Sequence, residues 1–243
     1  MSLGEEEPGG SEEYIPLYVN PKGLKVLVVG GGSVGSRRAL MFRNAGARVV
    51  VVASEFSEIL LKAGGVELRK LALPEDLEVL EKLVDESDIV VVALGDEGLA
   101  ERIASIALAK RKLVNNAVDH RRGNVIVPFS SSIAGLNVAI TSFGATGLAA
   151  RLALEKVVEL LRGDREVNAA YKAMGRLKMI IKSTVKDPKA RMKAYYAIHE
   201  DEEFRSHIRR GDWKSAYLRG LKVIESLGMT LDPSHYIIPQ DLQ

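Results

Sequence analysis

Gly30, Gly32 and Gly35 stand in G-x-G-x-x-G spacing within Gly30-Gly31-Gly32-Ser33-Val34-Gly35. Glycines so spaced let backbone N–H groups close on a pyrophosphate, with a helix N-terminus behind them. The flanks suit this. Residues 24–29 form a β-branched run fit for a buried strand, and residues 36–46 read as a helix closed by Gly46. Gly30, Gly31, Gly32, Ser33, Val34 and Gly35 are therefore expected to contact a dinucleotide; a tight turn that binds nothing is the alternative. The second strand, 48–53, runs into Ser54 and Glu55, where ribose hydroxyls would lie. No arginine follows at once to meet a 2′-phosphate, so NAD is expected rather than NADP. Ala93 and Asn116, at the ends of the fourth and fifth strands, complete the expected cofactor set.

A second chemistry centres on Asp119. It follows a strand ending near Asn115, at the carboxyl edge where open α/β sheets bind ligands. A carboxylate there can accept a proton, and it can equally cap a turn. His120 can share proton transfer, touch a metal or simply lie on the surface. His199 and His207 would be ~12 Å apart on one straight helix, too far to chelate one ion together, and His235 is more remote in sequence. No resident metal is expected. The chain has no cysteine, which excludes disulfides, thiolate metal sites and a cysteine nucleophile.

The elements that must position these residues alternate. Strand-like runs at 24–29, 48–53, 66–71, 88–94 and 112–115 are separated by helical stretches at 55–63, 75–85 and 97–110. Strands that are apolar throughout imply helices on both faces of a parallel sheet. The pattern then changes. Two more strands are expected at 124–128 and 136–141, and a helix at 145–161. From 165 the chain reads as helical, with starts at Asp187-Pro188 and Gly211-Asp212 and a stop at Gly228. The expected fold is a Rossmann-type α/β domain with a doubly wound parallel sheet over 14–119. A small strand-rich segment follows over 120–163, then an all-helical domain over 164–243. Residues 1–13, with Glu5-Glu6-Glu7-Pro8-Gly9-Gly10, read as an acidic disordered tail.

Composition narrows the partners. The chain is 47% hydrophobic and 27% charged with net charge +2, so no nucleic-acid partner is expected. Its apolar runs fall well short of the ~20 residues a membrane span needs. A cytoplasmic protein is the simplest reading.

Several segments, in order, resemble the precorrin-2 dehydrogenase and sirohydrochlorin ferrochelatase family, which completes siroheme synthesis. They are Tyr14-Ile15-Pro16-Leu17-Tyr18-Val19, the triple-glycine turn with Arg37-Arg38 after it, Val114-Asn115-Asn116-Ala117-Val118-Asp119, Asn137-Val138-Ala139-Ile140-Thr141-Ser142-Phe143-Gly144, and Ala149-Ala150-Arg151. The likeness covers most of residues 14–227. The chain departs from the family's usual pattern at Ala93-Leu94-Gly95-Asp96, Val125-Ile126-Val127-Pro128-Phe129 and Gly144-Ala145-Thr146-Gly147. The resemblance implies NAD-dependent oxidation of precorrin-2 to sirohydrochlorin, with Asp119 as the catalytic carboxylate. It allows insertion of Fe²⁺ as a further step, the same aspartate relieving pyrrole nitrogens of their protons. It also implies a homodimer joined through 120–163; two short strands there would otherwise leave a sheet edge bare. Such a tetrapyrrole carries many carboxylates, and Arg37, Arg38, Arg121, Arg122 and Arg151 are the residues placed to receive them. Two other readings stay open: a regulatory NAD-binding module, and a tetrapyrrole-binding relative without catalysis.

Overall fold

The computed structural model describes residues 14–237; the tail expected over 1–13 lies outside them. Five parallel strands form one sheet: β1 (Lys25–Val29), β2 (Arg48–Ala53), β3 (Glu67–Lys70), β4 (Ile89–Val92) and β5 (Leu113–Asn116). Their order is β3-β2-β1-β4-β5. Helices α1 (Ser33–Asn44), α2 (Glu58–Lys62), α3 (Leu77–Asp85) and α4 (Glu97–Ala109) make the crossovers.

Alternation along the strands explains why helices cover both faces. Val26, Val28, Val49, Val51, Ile89 and Val91 pack with Ala39 of α1 and Leu60 of α2. Their neighbours Leu27, Val29, Val52, Val90, Val92 and Val114 pack with Leu80, Leu83 and Val84 of α3 and with Ala100, Ile103 and Ala104 of α4. Neither face of the central strands is left for water, so the sequence must be apolar at both parities. The chain reverses winding direction between β1 and β4, which pair in register from Val26–Ile89 to Val29–Val92. Ligands of such sheets sit beyond the carboxyl ends at that reversal.

A hairpin follows, β6 (Phe129–Ile133) and β7 (Leu136–Ile140). Ala134 and Gly135 between them have φ of 51° and 79°, the two positive values that a two-residue hairpin turn needs. The strand expected at 124–128 is not there. Asn124 instead gives its side-chain carbonyl to the Val114 N–H at 2.6 Å. The carbonyls of Val125 and Val127 are taken by the side chains of Asn115 and Arg38. That stretch is tied down by these side chains and by the Asn124 and Val125 N–H groups, both donating to Val114 O at 3.0 Å, rather than by a ladder, and pairing begins only after Pro128.

Among the described residues five α-helices follow, α5 (Gly147–Gly163), α6 (Arg165–Thr184), α7 (Pro188–Glu200), α8 (Glu202–Arg209) and α9 (Trp213–Ser226), then a 3₁₀ turn at Pro233–Tyr236. Asp164, Asp187, Asp201 and Asp212 each cap a helix start through a side-chain oxygen. Leu177, Ile181, Ile198, Phe204, Leu221 and Ile224 form this region's own core. The described residues divide into two compact units, one of 14–129 with 141–150, the other of 130–140 with 151–237.

Candidate functional site

The glycine loop lies at the carboxyl end of β1. Gly30 has φ of +121°, and a Cβ on it would come 2.2 Å from the Ala93 carbonyl oxygen. A Cβ on Gly31 would meet the Glu55 carbonyl oxygen at 2.2 Å, and one on Gly35 the Gly30 carbonyl oxygen at 1.9 Å. These three glycines are required by the protein itself. Gly32 is different: a Cβ there meets nothing within 4 Å. Its openness faces the start of α1, where the N–H groups of Ser33, Val34 and Gly35 precede the first intrahelical bond, from Ser36 N–H to Gly32 O at 2.9 Å. No acidic residue stands in the first turn of α1, so the helix dipole there is uncompensated and attracts anions. A cleft of about 620 Å³ opens here, lined by Gly30–Gly32, residues 53–57, 71–73 and 93–95, and Leu99. The residues fit a dinucleotide: tight glycines shape the loop, and one open glycine leaves room for phosphate.

Two serines that the sequence reading passed over hold this loop. Ser36 Oγ donates to the Gly32 carbonyl at 2.6 Å and lies 2.7 Å from Ser57 Oγ. The Ser57 N–H in turn donates to Gly31 O at 3.0 Å. Ser57 also caps α2 through its contact with the Leu60 N–H. The loop after β2 therefore braces the loop after β1.

A second, larger cavity of about 850 Å³ lies beyond β5. Asn116, Asp119, His120, Arg121 and Arg122 line it, with Arg38 from α1 and Glu97 and Glu101 from α4. Asn116 is buried, and its side-chain carbonyl accepts the N–H groups of Val118 and Asp119 at 3.0 and 3.2 Å. This turn sets Asp119 at the cavity wall, its side chain 29% exposed. Asp119 Oδ1 caps a 3₁₀ turn (His120–Arg122) by accepting the Arg121 N–H at 3.1 Å. Both oxygens also accept from the Arg121 guanidinium, Oδ1 from Nε at 3.0 Å and Oδ2 from Nη2 at 3.1 Å. Those hydrogen bonds hold the Asp119 carboxyl below the usual carboxylate range. The two chemistries open to an aspartate here, cap and carboxylate, thus coexist in one side chain. The His120 ring fills the space beside Gly144, whose φ is +82°. Phe143, with φ of 49°, stacks at 5.7 Å against Tyr14 of the lead-in.

Asn115 is the other residue the sequence reading left without a role. It is 4% exposed; its amide donates to Val125 O at 2.9 Å, and its Oδ1 has no hydrogen-bond partner among the described residues. Of the five arginines singled out, Arg38, Arg121 and Arg122 line the larger cavity. Arg38 is half-buried, and burial lowers its pKa. Arg122 pairs with Glu101. Arg37 is exposed on α1, and Arg151 pairs with Glu155 one turn along α5. Of the expected cofactor contacts, Gly30, Gly31, Gly32, Ser54, Glu55 and Ala93 line the smaller cleft, and Asn116 lines the larger cavity. Among the described residues no three His, Asp or Glu side chains converge as a metal-holding group.

Residues 17–129 match the domain family described as "Putative NAD(P)-binding". The siroheme synthase of Psychromonas ingrahamii is 35% identical over 150 residues, 61% of this chain and 31% of that protein. Siroheme synthase 1 of Cronobacter sakazakii is 38% identical over 151 residues, 61% and 31% of the two chains. That of Zymomonas mobilis is 28% identical over 208 residues, 84% and 42%. The chain thus spans about a third of the length of the first two relatives. The solved structure of "SirC, precorrin-2 dehydrogenase" shares the fold, with a TM-score of 0.60 and 22% identity over 88% of this chain and 100% of that one. The chain is thus similar to siroheme synthases over 61% of its own length, and residues 17–129 match the putative NAD(P)-binding domain family.

Proposed function

We propose that this protein oxidises precorrin-2 to sirohydrochlorin with NAD⁺, in the cytoplasm, as a step of siroheme formation. One observation carries the reading. A cleft at the glycine loop, reaching the end of β4, and a carboxylate-bearing cavity beyond the adjacent β5 stand at the carboxyl ends of the same sheet. Bound in the smaller cleft, a nicotinamide dinucleotide supplies a hydride acceptor. The protein's own residues do the rest. The N–H groups at the start of α1 hold the pyrophosphate, and Glu55 meets the ribose hydroxyls. The lining of that cleft includes Glu55 and no lysine or arginine, which favours NAD over a cofactor bearing an extra phosphate. Asp119 accepts the proton that the macrocycle releases. Arg38, Arg121 and Arg122 receive substrate carboxylates. The sequence similarity to siroheme synthases supports a tetrapyrrole substrate.

The pair also assembles as a homodimer in this proposal, through the hairpin and α5. Leu148, Leu152 and Leu160 of α5 are 68%, 47% and 71% exposed at helical spacing, an apolar stripe that a partner would cover.

The test is direct. Purified protein is incubated with precorrin-2 and either NAD⁺ or NADP⁺, and sirohydrochlorin absorbance is followed; Fe²⁺ is then added to read chelation separately. Turnover with NAD⁺ is expected. Absence of turnover with both cofactors refutes the proposal.

A further inference from the structure

The Asp119 carboxylate is closed in this structure. Arg121 Nε and Nη2 engage its two oxygens at 3.0 and 3.1 Å, and Arg122 Nε lies 3.9 Å from Oδ2. A carboxylate so covered has little freedom to take a proton from a ligand. Yet the clamp is not built to be permanent. The Arg121 side chain is 77% exposed, and exposed ion pairs of this kind are weak. The bond from the Arg121 backbone N–H to Oδ1, 3.1 Å, is independent of the guanidinium. It would keep Asp119 in place with the side chain of Arg121 swung away.

We propose that Arg121 is a substrate-displaced clamp: it closes Asp119 in the free protein and moves to a carboxylate of the incoming polycarboxylate tetrapyrrole, which frees Asp119 to act. This rests on the reading of Asp119 as proton acceptor. A guanidinium binds any carboxylate bidentately, so a ligand carboxylate competes with Asp119 on equal chemical terms. A neutral ligand exerts no such pull. The other charged groups facing Asp119 do not substitute for Arg121. His120 follows it in the turn, Arg122 is engaged by Glu101 of α4, Glu97 is anionic, and Arg38 is held on α1 by Val127 O at 3.4 Å. Departure of Arg121 removes the hydrogen bonds that depress the Asp119 proton affinity, so the carboxylate becomes a better base when the substrate is in place.

Two measurements test this. In the first, Arg121→Gln is assayed with NAD⁺ and precorrin-2 across pH. Expected is a KM about tenfold higher, for the lost guanidinium contact, and an acid limb of kcat/KM moved up toward the ordinary aspartate value of about 4. An arginine that only braces the turn would leave KM unchanged, and an unchanged KM overturns the clamp. In the second, the Asp119 carboxyl carbon is titrated by NMR in wild-type protein with and without uroporphyrin, a stable polycarboxylate tetrapyrrole. Expected is a titration below the usual range in the free protein that moves up on saturation with the probe. Identical titrations, or no binding of the probe, overturn the clamp. Failure of wild-type turnover overturns the proposed reaction instead, and the NMR arm still decides the clamp.

Discussion

Gly32→Val separates what the protein needs from what a ligand needs. Gly32 is the N-cap of α1 with φ −75° and ψ −170°, extended backbone open to any residue, and it makes no side-chain cap. A Cβ there meets no heavy atom within 4 Å. The fold therefore loses only the difference between glycine and valine as N-cap, about 1 kcal/mol, or roughly 2–4 °C in Tm for a chain of this size. Binding fares differently. The branched side chain would project into the space at the N–H groups of Ser33, Val34 and Gly35, pushing a pyrophosphate out of hydrogen-bond range. Loss of two such charge-assisted bonds, at about 1.5 kcal/mol each, amounts to ~3 kcal/mol, or somewhat over a hundredfold in Kd. Thermal unfolding and calorimetric titration with NAD⁺ read the two quantities independently. Gly35→Ala is the contrast. Its Cβ would stand 1.9 Å from a backbone oxygen, so the loop itself must move and stability falls along with binding. A Gly32→Val protein that binds NAD⁺ like wild type would refute the assignment of this loop as the phosphate site.

Three further outcomes are expected. Asp119→Asn keeps the cap of the 3₁₀ turn but not the base, so dehydrogenation falls ~10²- to 10⁴-fold, as in Asp119→Ala, while NAD⁺ still binds; full turnover by the asparagine variant would leave Asp119 as a structural cap. Asp201 caps α8 and accepts from Arg219 at 3.0 and 2.7 Å. Asp201→Ala should cost about 2–3 kcal/mol by denaturant unfolding. The Arg219 hydrogen bonds lower the Asp201 pKa; its stabilisation is accordingly complete above the ordinary aspartate value of about 4 and is lost as pH falls through the depressed folded value, which acid titration of wild type against Asp201→Ala would show. Replacing Leu152 and Leu160 together by Glu should give a monomeric mass by light scattering where wild type gives a dimer; a wild-type monomer at micromolar concentration would remove the dimer.

The parallel sheet was legible because its signal is local and redundant. The central strands β1, β2 and β4 are short apolar runs, each crossover is a helix, and the glycine loop sits where strand meets helix; β3, Glu67-Leu68-Arg69-Lys70, is the polar exception at the sheet edge. The hairpin was harder. Val125, Ile126 and Val127 carry the β-branched composition of a strand, but Asn124, Asn115 and Arg38 take up the backbone groups a ladder would use. The true strand, Phe129-Ser130-Ser131-Ser132-Ile133, is polar at its centre and offers no buried face to detect. Asp119 could be found from its place after β5. The bidentate embrace by Arg121 could not, because a contact two residues away depends on the backbone torsions of the turn. The Ser36–Ser57 contact joins loops 21 residues apart and exists only once β1 and β2 are paired.

The two clefts present different chemistry to an anion, and in the proposed function that difference would keep their ligands apart. The smaller one has no cationic side chain in its lining and includes Glu55. What it offers an anion is the neutral N–H array at the start of α1, which acts over the first turn and suits a phosphate pressed against the backbone. The larger one offers guanidinium groups, Arg38, Arg121 and Arg122, set among Glu97, Glu101 and Asp119. A ligand with many carboxylates gains most from long cationic side chains that can adjust to several positions, and little from a glycine loop with one opening. The acidic residues in the same cavity limit that gain to ligands able to displace them, so isolated small anions compete poorly. Selection between the two proposed ligands would thus arise along the carboxyl edge of one sheet: backbone N–H groups after β1, guanidinium groups beyond β5, and Asp119 among the latter, where proton removal from the tetrapyrrole would take place.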